Sequence, residues 1–168
     1  FNSNGALVFV TDTIRTSYSL IKFDTNGNVL WHSDITAPNR IAVPTKLAVD
    51  NSGNVFLAEV LQLNELSKTY DTVTVINNNP TNGVEMTLIK YNSSGHALWG
   101  RTVGGNSYDE ATSILADNSG NIYVCGQFDS DTMFFDAANY LTNTATAPFG
   151  YPDFFYSKYD TNGNIIWA

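Results

Sequence analysis

Apolar residues in this chain fall into short runs, broken at regular intervals by a polar turn that carries glycine. One such stretch, Lys22-Phe23-Asp24-Thr25-Asn26-Gly27-Asn28-Val29-Leu30-Trp31, returns as Lys90-Tyr91-Asn92-Ser93-Ser94-Gly95-His96-Ala97-Leu98-Trp99. It returns again as Lys158-Tyr159-Asp160-Thr161-Asn162-Gly163-Asn164-Ile165-Ile166-Trp167. The lysines, glycines and tryptophans are each 68 residues apart in both steps, and all three tryptophans of the chain stand at this position. A second unit interleaves with the first: Leu47-Ala48-Val49-Asp50-Asn51-Ser52-Gly53-Asn54-Val55-Phe56-Leu57 is echoed by Ile114-Leu115-Ala116-Asp117-Asn118-Ser119-Gly120-Asn121-Ile122-Tyr123-Val124. A period held this strictly marks a repeat architecture.

Both units follow one plan, an apolar run, then a polar tight turn, then a second apolar run. Gly27, Gly53, Gly95, Gly120 and Gly163 supply the positive φ angle of a hairpin, and the Asp or Asn that opens the turn can accept hydrogen bonds from its own backbone. The flanking runs are rich in Val, Ile, Phe, Tyr and Trp, which suits strands. Each period is therefore predicted to hold two hairpins, or four strands, A to D. Strand A lies at Thr45 to Val49 and Ala111 to Asp117. Strand B lies at Ala6 to Thr11, Asn54 to Val60 and Asn121 to Phe128. Strand C lies at Tyr18 to Phe23, Glu85 to Tyr91 and Asp153 to Tyr159, and D at Asn28 to Ile35, His96 to Val103 and Asn164 to Trp167.

In strand C, Leu20 and Lys22 share one face while Ile21 and Phe23 share the other, and Leu88, Lys90, Ile89 and Tyr91 repeat this. A four-stranded antiparallel sheet that is apolar on both faces must be covered on both. Stacking sheet on sheet around an axis does so, which is the construction of a β-propeller. The expected fold is all-β: a partial propeller of four-stranded antiparallel blades, with an incomplete blade over residues 1–35 and further blades over 36–103 and 104–168. It is expected to be part of a larger ring and of a longer repeat protein.

The combination Ala111-Thr112-Ser113-Ile114, Asp117 to Val124 and Gly126 resembles the bacterial β-propeller repeat family called SBBP, as does Tyr156 to Trp167. The turn that runs from Asp24, Asn92 or Asp160 through Gly27, Gly95 or Gly163 to Trp31, Trp99 or Trp167 also resembles the tryptophan-docking motif of quinoprotein-type propellers. That likeness implies tryptophans wedged, largely buried, at equivalent blade junctions, a role an aromatic with a polar N–H can fill.

Charge narrows the partners. Sixteen acidic residues against eight basic give a net charge of -8. An acidic chain with no basic cluster repels phosphate backbones and anionic bilayers, so nucleic acid and membrane surfaces are not expected partners. No apolar run approaches the length of a membrane span, and no signal peptide is visible. The single cysteine, Cys125, aligns with Ala58 and Thr11, which predicts a small buried side chain without a disulfide partner.

Candidate chemistry is sparse. The acids at Asp24, Asp50, Asp117 and Asp160 sit in loops with a superficial likeness to a calcium site. The spacing lacks the distal bidentate Glu such loops use, so metal-free turns are expected, with calcium the weak alternative. His32 and His96 have no triad partners, and no zinc cluster or phosphate loop is present in the sequence. The acid pairs Asp109-Glu110 and Asp129-Ser130-Asp131 read as solvated loop residues rather than catalytic ones, and Lys22, Lys90 and Lys158 read as neutralising turn carboxylates.

Loop lengths carry more information. The A–B and C–D turns are short and alike, whereas the B–C connections Leu61 to Val84 and Asp129 to Pro152 are long, and Val73 to Ile76 alternates like an extra edge strand. Variable loops on a rigid scaffold are where binding resides. Tyr70, Tyr108, Tyr140, Phe149 and Tyr151 are the candidate ligand contacts. The expectation is a non-catalytic scaffold or adhesion module, secreted or at the cell surface, binding protein or glycan through the long-loop face. Its other partners would be further blades of the same chain or another protein chain. An enzyme acting on polysaccharide, glycosidase or lyase, and a structural subunit assembling through strand edges are the alternatives.

Overall fold

Local turn chemistry alone accounts for much of the architecture. The computed structural model describes residues 7–11, 17–36, 46–79, 83–144 and 151–168, and among these there is no helix. The strands are β1 (Leu7–Thr11), β2 (Ser17–Phe23), β3 (Val29–Thr36), β4 (Lys46–Val49), β5 (Val55–Leu61), β6 (Ser67–Tyr70), β7 (Val73–Ile76), β8 (Glu85–Tyr91), β9 (Ala97–Val103), β10 (Asp109–Ala116), β11 (Ile122–Phe128), β12 (Thr132–Phe134), β13 (Tyr140–Thr142), β14 (Asp153–Tyr159) and β15 (Ile165–Trp167). In chain order, the first sheet runs β1-β2-β3-β6-β7, the second β4-β5-β8-β9 and the third β10-β11-β14-β15, all antiparallel. This is a partial β-propeller, as the periodicity predicts.

Each turn is built the same way. In the first, the Asp24 Oδ1 accepts from the backbone N–H groups of Asn26 and Asn28, both at 2.8 Å, and Oδ2 accepts from the Asn28 amide at 2.8 Å. Asp50, Asp117 and Asp160 repeat the arrangement. Glycine follows at φ between 77° and 87°, a conformation costly for any residue with a Cβ. The turn thus satisfies its own backbone donors and reverses the chain in register.

The insertion after β5 departs from a simple meander. Its hairpin β6–β7 leaves the second sheet and pairs with β3 of the first, Ile35 opposite Tyr70 and Thr36 opposite Thr69. Val73 to Ile76 is indeed an edge strand, but on the neighbouring sheet. Lys68 and Tyr70 point inward from β6 while Ser67 and Thr69 face solvent, so the hairpin has one face to bury and the open edge of β3 to pair with.

Two cores lie between the sheets. Leu20, Ile35, Val55, Leu57, Ile89 and Tyr91 fill the first junction, and Phe56, Met86, Leu88, Val124, Phe155 and Tyr159 fill the second. Trp31 reaches across the first junction, donating from Nε1 to the Ser93 carbonyl at 2.9 Å and stacking on Tyr91 with ring centroids 6.4 Å apart. Trp99 repeats this at the second, donating to the Thr161 carbonyl at 3.1 Å. A Cβ on Gly95 would fall 2.6 Å from the Trp31 ring, and one on Gly163 would fall 3.0 Å from Trp99. The glycines are required twice over, for φ and for this close approach.

Three expectations are corrected. The tryptophans are not equally buried: Trp31 and Trp99 are half-buried, and Trp167 is 45 % exposed because no sheet stands over it. Cys125 is half-buried, not buried, for the same reason. Lys90 does not pair with a carboxylate; its Nζ donates to the Thr161 carbonyl at 2.9 Å and hydroxyl at 2.7 Å, on the next sheet's turn. Burial holds its pKa below the usual range, opposed by the charges of Asp50 and Asp160.

Trp31→Ala and Trp99→Ala are each expected to cost about 2–4 kcal/mol, toward the lower part of the large-to-small range because both rings are partly exposed. Trp167→Ala is expected to stay within about 0.5 kcal/mol, as for a surface change. Urea denaturation of the three variants checks the contrast.

Candidate functional site

Buried acids on the long-loop side of the sheets were unexpected, and they organise its loops. Glu85 opens β8 and Asp109 opens β10, and both are almost wholly buried. The Glu85 Oε2 accepts from the Asn78 backbone N–H at 3.0 Å, and its two oxygens take weaker 3.4 Å bonds from the Asn78 and Asn79 amides. The Asp109 Oδ2 accepts from the Gly105 N–H at 2.8 Å and the Ser130 hydroxyl at 2.7 Å. Glu85 therefore clamps the end of one insertion, and Asp109 ties the connection after β9 to the start of the next. The two acids flank Gly104, where a Cβ would lie 2.9 Å from the Asp109 Oδ2 and 3.1 Å from the Glu85 Cγ. Burial raises both pKa values, and the Asp109 charge adds to the rise at Glu85.

Above them is a cleft of about 320 Å3, lined by Asn78, Asn79, Glu85, Thr102, Gly104 and the segment Phe134 to Ala137. Its far wall is the β12–β13 hairpin, held to the second sheet by a reciprocal pair of hydrogen bonds between Gly104 and Phe134, at 3.2 and 2.9 Å. Phe134 is 49 % exposed and packs against Tyr140 with centroids 6.0 Å apart. Asp136 accepts from the Ala138 and Asn139 N–H groups, which keep its carboxylate below the usual range, led by Ala138. The cleft thus offers an aromatic face, two asparagine amides and fixed acids.

The candidate aromatic contacts do not form one cluster. Tyr140 stands at the rim of this cleft through Phe134. Tyr108 is at the surface of the connection after β9, donating to the Glu110 carboxylate at 2.9 Å, with its phenol pushed up to about 12, mainly by burial. Tyr151 is 72 % exposed just before β14. Phe149 lies outside the described residues. Tyr70 is corrected: it is fully buried, and its hydroxyl donates to Glu59. Phe134, Asn78, Asn79 and Glu85 are missed by the sequence reading, although an acid at the first position of an otherwise apolar strand was a usable signal.

Glu59 centres a second buried polar cluster, between the first two sheets. It accepts from the hydroxyls of Tyr18 and Tyr70 and from Lys68 Nζ at 3.3 Å, while Glu65 stands 3.8 Å from the same ammonium. Tyr18 lies on β2, Glu59 on β5, Lys68 and Tyr70 on β6 and Glu65 in the connection between β5 and β6, and Glu59, Glu65, Lys68 and Tyr70 are almost inaccessible to solvent. Its role is to lock the hairpin across the junction, where breaking a buried pair is costly.

The turn aspartates accept hydrogen bonds from their own backbone N–H groups and from the following asparagine amides. Among the described residues no group of three or more His, Cys, Asp or Glu side chains is placed to hold a metal ion.

Comparison with known proteins agrees with this architecture. Residues 98–127, from β9 to β11, match the model of the SBBP beta-propeller repeat family. An uncharacterized WD repeat-containing protein of Acanthamoeba polyphaga mimivirus is 25 % identical over 170 residues, covering 89 % of this chain. The regulatory protein FlaEY of Caulobacter vibrioides is 28 % identical over 110 residues, covering 65 % of this chain. The aligned regions make up 12 % and 11 % of those proteins' lengths.

Two predictions follow from the acids. Burial lifts Glu65, Glu85 and Asp109 above their ordinary values of 4.5, 4.5 and 3.8. The folded chain binds these protons more tightly than the unfolded one, so their contribution is full below the ordinary values and is lost as pH rises through the folded values. Asp24 and Asp117 are lowered, led by the Asn28 and Asn121 side-chain amides, so their contribution holds above 3.8 and is lost as pH falls through the folded values. Urea denaturation should therefore give a stability that falls as pH rises above the ordinary carboxyl values and falls again as pH drops below 3.8. Glu85→Gln, which keeps an acceptor for Asn78, should flatten the upper limb. A chelator should leave the melting temperature unchanged; a large drop would assign calcium to the turns.

Proposed function

We propose that this SBBP-type propeller chain is a non-catalytic binding or adhesion module, secreted or displayed at the cell surface, that takes its ligand on the long-loop face. The observation that carries this reading is the cleft beneath Phe134. Ligand sites combine an apolar wall with a few fixed polar groups, and this one pairs an exposed ring with the Asn78 and Asn79 amides. A ring face packs on the C–H side of a sugar, while side-chain amides offer donor and acceptor together to adjacent hydroxyls. Glu85 and Asp136 at the cleft, with Asp109 behind it, disfavour an anionic ligand. Neutral glycan is therefore the favoured ligand class, ahead of protein.

The acid pair favours one other reading, an enzyme acting on polysaccharide, since raised carboxyl pKa values at a cleft are a mark of catalytic sites. Binding is preferred because Glu85 and Asp109 already accept hydrogen bonds from the loops they clamp.

Calorimetric titration with cellohexaose, chitohexaose and hexagalacturonate discriminates the readings. A neutral oligomer is expected to bind without cleavage, and Phe134→Ala or Asn78→Ala to weaken it about tenfold or more, equivalent to about 1.4 kcal/mol. New reducing ends that vanish in Glu85→Gln would favour the enzyme. No binding of either neutral oligomer would remove the glycan reading.

A further inference from the structure

The two amides that line the cleft are already engaged from below. Asn78 Nδ2 donates to the Glu85 Oε2 and Asn79 Nδ2 to its Oε1, each at 3.4 Å, beyond the range of a well-formed hydrogen bond. The Asn78 backbone N–H donates to Oε2 at 3.0 Å and is the tighter anchor. A sugar hydroxyl entering the cleft therefore competes with Glu85 for the side-chain amides, while the backbone bond keeps the loop in place.

Charge decides how strongly Glu85 competes, because hydrogen bonds to an ionised carboxylate are about twice as strong as those to a neutral group. Among the described residues nothing cationic faces this carboxyl. Its neighbours are Asn78 and Asn79 from the loop after β7, Thr102 on β9 with Gly104 just beyond, Asp136 from the β12–β13 connection, and Leu61 opposite on β5. Across Gly104 stands Asp109, with the charge of Asp129 behind it. Asp109 is the better served by donors, from the Gly105 N–H, the Ser130 hydroxyl and the Ser130 N–H. It is therefore the first of the pair to ionise, and Glu85 is left with the proton. Burial, with the Asp109 charge added, lifts Glu85 above 4.5. Asp136 is held below 3.8, first by the Ala138 N–H, and stays charged while Glu85 titrates.

We propose that Glu85 is a proton-controlled positioning residue for the cleft: protonated, it releases the Asn78 and Asn79 amides to the ligand, and ionised, it draws them back. Resting on the glycan reading above, this adds the condition under which the site is open. The proton passes from solvent to a Glu85 Oε, and an asparagine carbonyl accepts from it once its amide has turned toward the ligand. Ligand binding favours the protonated form and so takes up that proton. By the same linkage, acid strengthens binding.

Calorimetric titration with cellohexaose and chitohexaose, neither of which titrates, is run from below pH 4.5 up to neutral. Affinity is expected to fall about tenfold as pH rises through this range. Proton uptake on binding is read from heats that differ between buffers of different ionisation enthalpy. Glu85→Gln is expected to abolish both the pH dependence and the uptake. Asp109→Asn, which keeps an acceptor for the Gly105 N–H, is expected to move the fall to lower pH by removing the neighbouring charge. The Asn78 backbone N–H reports Glu85 without ligand: in the parent chain its nuclear magnetic resonance shift is expected to titrate with a midpoint above 4.5, a readout that holds where a variant fails to fold. An affinity that is flat or rises with pH, without proton uptake, overturns the proposal and leaves the glycan reading standing. So does an Asn78 N–H that titrates at or below 4.5. If neither oligomer binds at any pH, both fall.

Discussion

An indole ring laid flat on a glycine turn of the next sheet sets the geometry of this molecule. The contact combines dispersion over a large aromatic face with one hydrogen bond, from the indole N–H to a carbonyl that the turn leaves free. It fixes how closely two sheets approach at their short-turn ends, because the ring lies where a Cβ would otherwise be. Lys90 strengthens the same contact from the side, giving its ammonium to the carbonyl that Trp99 also uses. Everything between the sheets then packs at a spacing that the turns determine.

That dependence explains what the sequence made legible. The period, the strand boundaries and the turn chemistry are local, and Asp24, Asn26, Gly27 and Asn28 announce them directly. The pairing of Trp31 with Gly95 was half visible, since both recur every 68 residues, but sequence does not say that each tryptophan reaches forward to the next turn. Tyr70 was misplaced for a related reason. Alternation in Ser67-Lys68-Thr69-Tyr70 shows that one face is buried, and nothing in it shows that the strand would join β3 of the neighbouring sheet, opposite Ile35. The cleft residues were illegible because their roles depend on loops from three elements meeting. Glu85 looked like a strand residue, and Asn78 and Asn79 like linker.

The buried acids share one physical task. A carboxylate withdrawn from water is unfavourable unless donors replace the solvent, and Glu59, Glu85 and Asp109 each draw those donors from a loop or hairpin that would otherwise lack a fixed position. Insertions of this length lose considerable entropy on ordering, and the acids supply part of what offsets it. One consequence reaches the cleft beside Phe134 and the ligand proposed for it. Asn78 and Asn79 owe their place at the cleft to Glu85, so a change at Glu85 alters the wall that a ligand meets even if it never touches that ligand.

The two ends of the sheets are therefore under different constraints. At the short-turn end, the turns at Gly95 and Gly163 each fit the tryptophan of the neighbouring sheet, and a substitution there disturbs two sheets at once. At the long-loop end, a loop has to satisfy its own anchoring acid and pair briefly with the strand beside it, as Phe134 does with Gly104. Within Phe134 to Ala137, Phe135 is buried against Phe155 and Asp136 holds its own turn, whereas the exposed Phe134 and Ala137 side chains carry no such constraint. A repeat unit built this way can change what it contacts without changing how it stacks. This division places the variable loops and the stacking of the sheet faces on separate parts of each repeat, so that either can be altered while the other persists.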